Sequence, residues 1–239
     1  VQHNGELFVV NSQSNSITVY DRNSLAMKRE MSVGGPKNPF MMAFLDSDHF
    51  YVTEFFTHTV DRISASSGDV INSISLPDDL PTDPGASTSP CPQGIAVADG
   101  IAYVACANLN GSYVAGGPGV IVRINTSTDQ VIDWVESGGR NCIGVTPDPF
   151  RSDWLWVTNA GDYSPGSGFD GNGTVAIWSL SNGSITDIIQ VGDAPYEMAF
   201  GSERAYFSSA ADGLVGRIDM NGLQLLSPIE LPGSGMGLN

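Results

Sequence analysis

Phe50-Tyr51-Val52-Thr53-Glu54-Phe55-Phe56-Thr57-His58-Thr59-Val60-Asp61-Arg62-Ile63-Ser64 is the stretch on which the fold turns. Phe50 to Glu54 is aromatic and β-branched and ends in polar residues, and Thr59 to Ser64 mixes β-branched with polar residues again, the pattern of two half-buried strands joined as a hairpin. The first segment recurs as Leu7-Phe8-Val9-Val10-Asn11, Ala102-Tyr103-Val104-Ala105-Cys106, Leu155-Trp156-Val157-Thr158-Asn159 and Ala205-Tyr206-Phe207-Ser208-Ser209. The second recurs as Ser16 to Asp21, Val120 to Asn125, Thr174 to Ser179 and Leu214 to Asp219. Each of these leads into a turn rich in Asp, Asn, Ser and Gly, residues that supply the φ > 0 positions and side-chain hydrogen bonds of tight turns.

Working outward, a third alternating segment follows each turn: Met27 to Val33, Val70 to Leu76, Val131 to Val135, Ile185 to Val191 and Leu223 to Leu231. A fourth, short segment with a small residue at its centre closes the cycle: Met42-Ala43-Phe44, Ile95-Ala96-Val97, Ile143-Gly144-Val145, Met198-Ala199-Phe200 and Met236-Gly237-Leu238. Small residues suit the crowded inner strand of a propeller, and the repeat of about 38 to about 55 residues suits four-stranded blades with loop insertions. The pattern predicts an all-β fold: a β-propeller of four-stranded antiparallel blades forming a single domain over residues 1–239. Because the chain begins in the second strand type and ends in the fourth, the reading is five blades, with the C-terminal strand closing the ring. The alternative is a fragment of a six- or seven-bladed propeller.

Composition agrees. The 28 Gly and 14 Pro are spread along the chain, which favours turns over helices. Apolar residues make up 41%, with no run near the ~20 needed for a membrane span. A net charge of −16, with Lys28 and Lys37 the only lysines, repels nucleic acid and anionic lipid. Val1 to Gly5 is neither a signal nor a targeting motif, so the chain reads as a processed form or fragment.

Candidate chemistry lies where loops are long: residues 77–92, 107–119 and 160–173, all expected on one face. Asp78, Asp79, Asp83, Asp162 and Asp170 fall there, and the turn Phe169-Asp170-Gly171-Asn172-Gly173 makes Asp162 and Asp170 candidate ligands for Ca²⁺, which takes oxygen donors. Cys91, Cys106 and Cys142 fall at loop-face strand ends of neighbouring repeats; a disulfide is expected, Cys91–Cys142 being the first choice. Asn110, Asn125, Asn172 and Asn182 head glycosylation sequons. The recurrent aromatics Tyr51, Tyr103, Trp156 and Tyr206 fit either blade packing or a sugar surface, and their phase with the repeat favours packing. His3, His49 and His58 are not paired at ligand spacing, and no HExxH, Walker, nucleophile-elbow or haem motif is present.

Tyr51-Val52-Thr53-Glu54 and Trp156-Val157-Thr158-Asn159 resemble the signature of the YVTN-type β-propeller repeats, and the resemblance runs through every repeat. Gln190-Val191-Gly192-Asp193-Ala194-Pro195 is similar to that family's VGxxP element, with Val33-Gly34-Gly35-Pro36 a looser copy. Repeat three departs from it, having Gly139-Arg140-Asn141-Cys142 where the proline would fall. The resemblance implies a propeller of the surface-layer or binding-scaffold kind, or less often an enzyme; fold analogy does not itself carry function. The strand ends Asn11, Glu54 and Asn159, with Glu197, are expected at the mouth of the central channel, where convergence would resemble the single-metal site of lactonase-type propellers. The expectation is therefore a secreted, periplasmic or cell-surface scaffold that presents its loop face to a protein or glycan partner, within a larger assembly or alone. The alternative is a metal-dependent, lactonase-like hydrolase.

Overall fold

The computed structural model describes residues 1–192, 194–209 and 213–230. Within them the chain is all strand, turn and loop, arranged as five four-stranded antiparallel sheets and one two-stranded ribbon. Each four-stranded sheet is a blade built from consecutive strands, the arrangement that short hairpin connections favour.

Blade one holds β1 (Gln2–His3), β2 (Glu6–Asn11), β3 (Ser16–Asp21) and β4 (Met27–Ser32). Blade two holds β5 (Pro39–Phe44), β6 (His49–Glu54), β7 (Thr59–Ser64) and β8 (Val70–Ser75). Blade three holds β9 (Pro92–Ala98), β10 (Ile101–Cys106), β11 (Pro118–Asn125) and β12 (Gln130–Arg140). Blade four holds β13 (Cys142–Pro147), β14 (Trp154–Asn159), β17 (Gly173–Ser179) and β18 (Ser184–Gly192), and carries the ribbon β15 (Tyr163–Ser164) and β16 (Gly168–Phe169) in a loop. Blade five holds β19 (Pro195–Phe200), β20 (Arg204–Ser209), β21 (Leu214–Asp219) and β22 (Gln224–Glu230).

The predicted strand quartets thus stand, with one change at the start. The first blade does not open on its second strand, because Gln2 and His3 pair with Leu7 and Glu6 and take part of the innermost position. The closing segment Met236-Gly237-Leu238 lies outside the described residues.

Blades stack face to face through side chains that alternate along each strand. Phe8, Ile17 and Val19 of blade one pack on Phe50, Val52 and Ile63 of blade two. Tyr51 and Val60 on the other face of blade two pack on Ala102, Val104 and Ile124 of blade three. Tyr103 and Ile121 meet Leu155 and Val157, and Trp156 and Ile177 meet Phe207 and Ile218. Fully burying each such side chain is worth about 1.5–3 kcal/mol, so these interfaces carry the fold. The aromatics Tyr51, Tyr103 and Trp156 are therefore packing residues. Two of them have their polar ends satisfied at the opposite face: the Tyr51 hydroxyl donates to Asp129 at 2.5 Å and the Trp156 indole N–H to Asp148 at 3.0 Å. The ends of the stack differ, since Val9 is 44% exposed whereas its counterparts Val52, Val104 and Val157 are fully buried by the preceding blade.

Each inner strand from blade two to blade five begins the same way. Asn38, Cys91, Asn141 and Ala194 have φ between 44° and 59°, and the register then shifts within the next few residues of each inner pairing. A bulge of this kind re-aims the side chains beside it. It turns the second residue of each inner strand, Phe40, Gln93, Ile143 and Tyr196, toward the loop-face mouth of the stack. Between blades three and four the inner strands come so close that a Cβ on Gly94 would lie 2.8 Å from the Gly144 backbone, which fixes glycine there.

Candidate functional site at the loop face

The three long loops fold over blades three and four as one unit, and Arg140 ties them. Its guanidinium donates to both oxygens of Asp83 at 3.2 and 2.7 Å, to Asp162 at 2.5 Å and to the Ala115 carbonyl at 3.0 Å, one contact set for each loop. Arg140 stands two residues before Cys142, which takes the place of the proline (Pro39, Pro92, Pro195) that opens the inner strands of blades two, three and five. The paired Asp83 carboxyl is held below the usual carboxylate range by this guanidinium. Asn108 adds a second tie, donating to the carbonyls of Pro81 and Pro118 at 2.7 and 2.8 Å.

Beneath these loops lies a cavity of about 320 Å³ at the mouth of the inner strands. Gln93, Asn141, Ile143 and Tyr196 come from the starts of three inner strands; Leu109, Tyr113, Ala160, Tyr163 and Phe169 come from the loops. Among the described residues no charged side chain lines it. Gln93 is 7% exposed and its side-chain amide makes no hydrogen bond among the described residues, nor does that of Asn141. A buried amide normally finds partners, so an open one facing a cavity is a handle for something that enters. Burial and the neighbouring Glu197 charge push the Tyr196 phenol up to about 12, so it stays a neutral donor at any physiological pH.

A second cavity of about 160 Å³ adjoins the first, lined by Phe55, Phe56, His58, Ser89, Cys91 and Asn110, and Leu109 and Tyr113 line both. Tyr113 is 56% exposed, has φ 60° and stacks on Phe55 with ring centroids 5.9 Å apart. A bulky side chain in the left-handed region costs of order 1–3 kcal/mol. Asn110 holds the turn, its side-chain oxygen accepting from the N–H groups of Ser112 and Val114.

The residues expected to form the site behave differently. Asn11, Glu54 and Asn159 do not converge. Asn11 donates to Ser16 and Thr18 inside blade one, and Asn159 bonds Ser137 and Thr174 around blade four. Glu54 is sealed from solvent, and Glu197 stands exposed on the inner strand of blade five. The Ca²⁺ expectation also fails on geometry. The Asp162 carboxylate is committed to Arg140 and Asn172, Asp170 is exposed, and among the described residues no three His, Cys, Asp or Glu side chains gather to hold a metal ion.

The disulfide expectation is corrected as well. Cys91, Cys106 and Cys142 do lie near one another, yet all three are free, buried thiols. The Cys142 sulfur faces the Ser137 hydroxyl and the Cys106 backbone N–H instead, and burial pushes its thiol up to about 12. Of the sequon asparagines, Asn172 uses its amide nitrogen on Asp162 and Asn125 caps its own turn through its oxygen; Asn110 holds the Tyr113 turn and Asn182 is exposed.

Comparison with solved structures places the fold. The chain is similar to Kuenenia stuttgartiensis hydrazine synthase, with TM-score 0.73 and 16% identity, over 98% of this chain and 65% of that one. It is also similar to the computationally designed Ika8 protein (TM-score 0.62, 15% identity, 99% of this chain and 61% of that). A functionally unknown protein from Desulfotomaculum acetoxidans DSM 771 gives TM-score 0.65 and 14% identity, over 94% of this chain and 66% of that one. The chain thus spans less than two thirds of the length of each. At such identities the likeness is one of fold, a β-propeller-like stack of blades. No protein-family model matches the chain, and no curated protein matches it.

Proposed function

We propose that this propeller is a binding scaffold that captures a neutral ligand in the loop-face mouth cavity. The observation that carries the reading is Gln93, a side chain buried by its own blade whose amide is left open toward an aromatic-lined space. Cavities of this size, mostly apolar with a few convergent polar groups, are the usual form of a ligand site. The loops that roof it are cross-tied by Arg140, so the site is largely preformed and little binding free energy goes into ordering it.

The hydrolase alternative has less support. Its carboxylate candidate Glu54 is fully buried, and the Asn11 and Asn159 amides expected beside it are already hydrogen-bonded, to Ser16 and Thr18 and to Ser137 and Thr174.

A neutral fragment collection screened by ligand-observed NMR tests the reading. Fragments should bind the native chain and be lost in Gln93→Leu, while the melting temperature of the variant stays within a few degrees of the parent. Fragments that bind both proteins equally, or none that bind either, would overturn it.

A further inference from the structure

The two loop-face cavities and the strained tyrosine between them point to a ligand longer than one cavity. We propose that they are adjoining subsites for a neutral saccharide chain, with Tyr113 as the stacking ridge between them; this rests on the mouth cavity being a binding site.

The chemistry of the lining selects the ligand. The faces of Tyr113, Tyr163 and Phe169 offer flat apolar surfaces to the C–H faces of sugar rings, in the way aromatic rings present a broad contact at small entropic cost. The Gln93 and Asn141 amides each carry a donor and an acceptor on one rigid group, which matches a pair of adjacent hydroxyls. An aliphatic ligand would leave both amides unpaired once water is displaced, which disfavours it. An anionic ligand would meet a chain of net charge −16 with, among the described residues, no cation lining the mouth cavity.

The arrangement of Tyr113 is the second line of support. Its ring is shared by both cavities, is more than half exposed, and is held in an unfavourable backbone conformation by the Asn110 turn. A glycine would satisfy that turn without strain. The aromatic ring is what the turn delivers, and the stack with Phe55 braces it beside both cavities.

Calorimetric titration with neutral gluco-, manno- and N-acetylglucosamine oligomers, from monosaccharide to hexasaccharide, tests the assignment alongside uronic-acid oligomers. One neutral series should bind, with the hexasaccharide about tenfold tighter than the disaccharide. Tyr113→Ala should abolish that dependence on length while retaining short-chain binding, and Gln93→Leu should weaken every length. Fragment binding that persists with no saccharide binding would overturn the sugar assignment while leaving the mouth site intact. Uronic-acid oligomers binding as tightly as neutral ones, affinity independent of length, or a proline-rich peptide captured in a Gln93-dependent way would each overturn it too.

Discussion

Tyr51-Val52-Thr53-Glu54 of blade two and Trp156-Val157-Thr158-Asn159 of blade four hold the same register, and their last two residues fare in opposite ways. In blade two the threonine is satisfied: the Thr53 hydroxyl donates to the Gln93 carbonyl at 2.6 Å and accepts from the Met41 N–H at 3.0 Å. The glutamate beside it is fully buried with both carboxyl oxygens unpartnered. In blade four the buried Thr158 hydroxyl has no partner, while Asn159 accepts from the Ser137 hydroxyl at 2.5 Å and donates to the Ser137 carbonyl and the Thr174 hydroxyl, both at 3.1 Å. One repeat position therefore does two jobs, and a buried polar group contributes or costs according to its partners, not its type.

The largest effect expected from breaking this comparison is at Asn159. Asn159→Ala strips three hydrogen bonds from a buried network, leaving the Thr174 hydroxyl only the Gly138 carbonyl and the Ser137 hydroxyl only its long contact with the Gly139 carbonyl, which should cost about 3–4 kcal/mol. Denaturant titration measures it. A loss below about 1 kcal/mol would mean that blade four tolerates the vacancy and that the contrast with Glu54 is only apparent.

At Glu54 the expected change has the opposite sign and depends on pH. Burial first, then the Asp61 charge, pushes its carboxyl up to about 8, against a partial offset from Lys37, whose ammonium bonds Asp61 at 2.5 Å. In the unfolded chain the group titrates near its ordinary value, about 4.3. Between those values the folded state holds a proton that the unfolded state has released. This contribution to stability is complete at acid pH, falls as pH rises toward about 8 at no more than about 1.4 kcal/mol per unit, and is flat beyond. Glu54→Gln removes it, so the variant should gain on the parent with rising pH and be about 2–3 kcal/mol the more stable at pH 9. Melting curves across pH 5–9 that run parallel for the two proteins would show that Glu54 is not protonated in the fold.

The same pair of segments shows what could be read from the chain and what could not. Strand identity was legible because the inner blades bury both faces and the end blades one, so the apolar and small residues recur in phase through five copies. The mouth was not. Gln93, Ile143 and Tyr196 sit inside the bulge that opens each inner strand, and alternation assigns a face only while the register holds. Glu54 and Asn159 are both polar strand ends, yet nothing in the sequence says that Asn159 is clasped by Ser137 of the neighbouring blade and Thr174 of its own while Glu54 is sealed in beside an ion pair. Arg140 left only an indirect trace, lying two residues before the Cys142 at which repeat three breaks the pattern; its role shows only once Asp83, Ala115 and Asp162 are brought around it. The cysteines were placed together correctly, but proximity does not set the direction in which a thiol points.

The smallest expected effect is the sharpest test of the comparison. Thr53→Val keeps shape and β-propensity but leaves the Met41 N–H and the Gln93 carbonyl without the hydroxyl, at about 1–2 kcal/mol. Thr158→Val removes a hydroxyl that already lacks a partner, so it should be neutral or slightly stabilising. The two sites lie in separate blades and share no partner, so the double variant should show the sum of the two changes. Equal losses at both positions would mean that Thr158 has a partner such as an ordered water, and the crosswise contrast would then rest on Glu54 and Asn159 alone. Thr53 also joins fold to site, because the carbonyl it holds belongs to the residue whose amide faces the cavity. Thr53→Val should therefore weaken ligand capture at the mouth by a few-fold, whereas Thr158→Val should leave it unchanged, and titration of a bound fragment against both variants reads the difference directly.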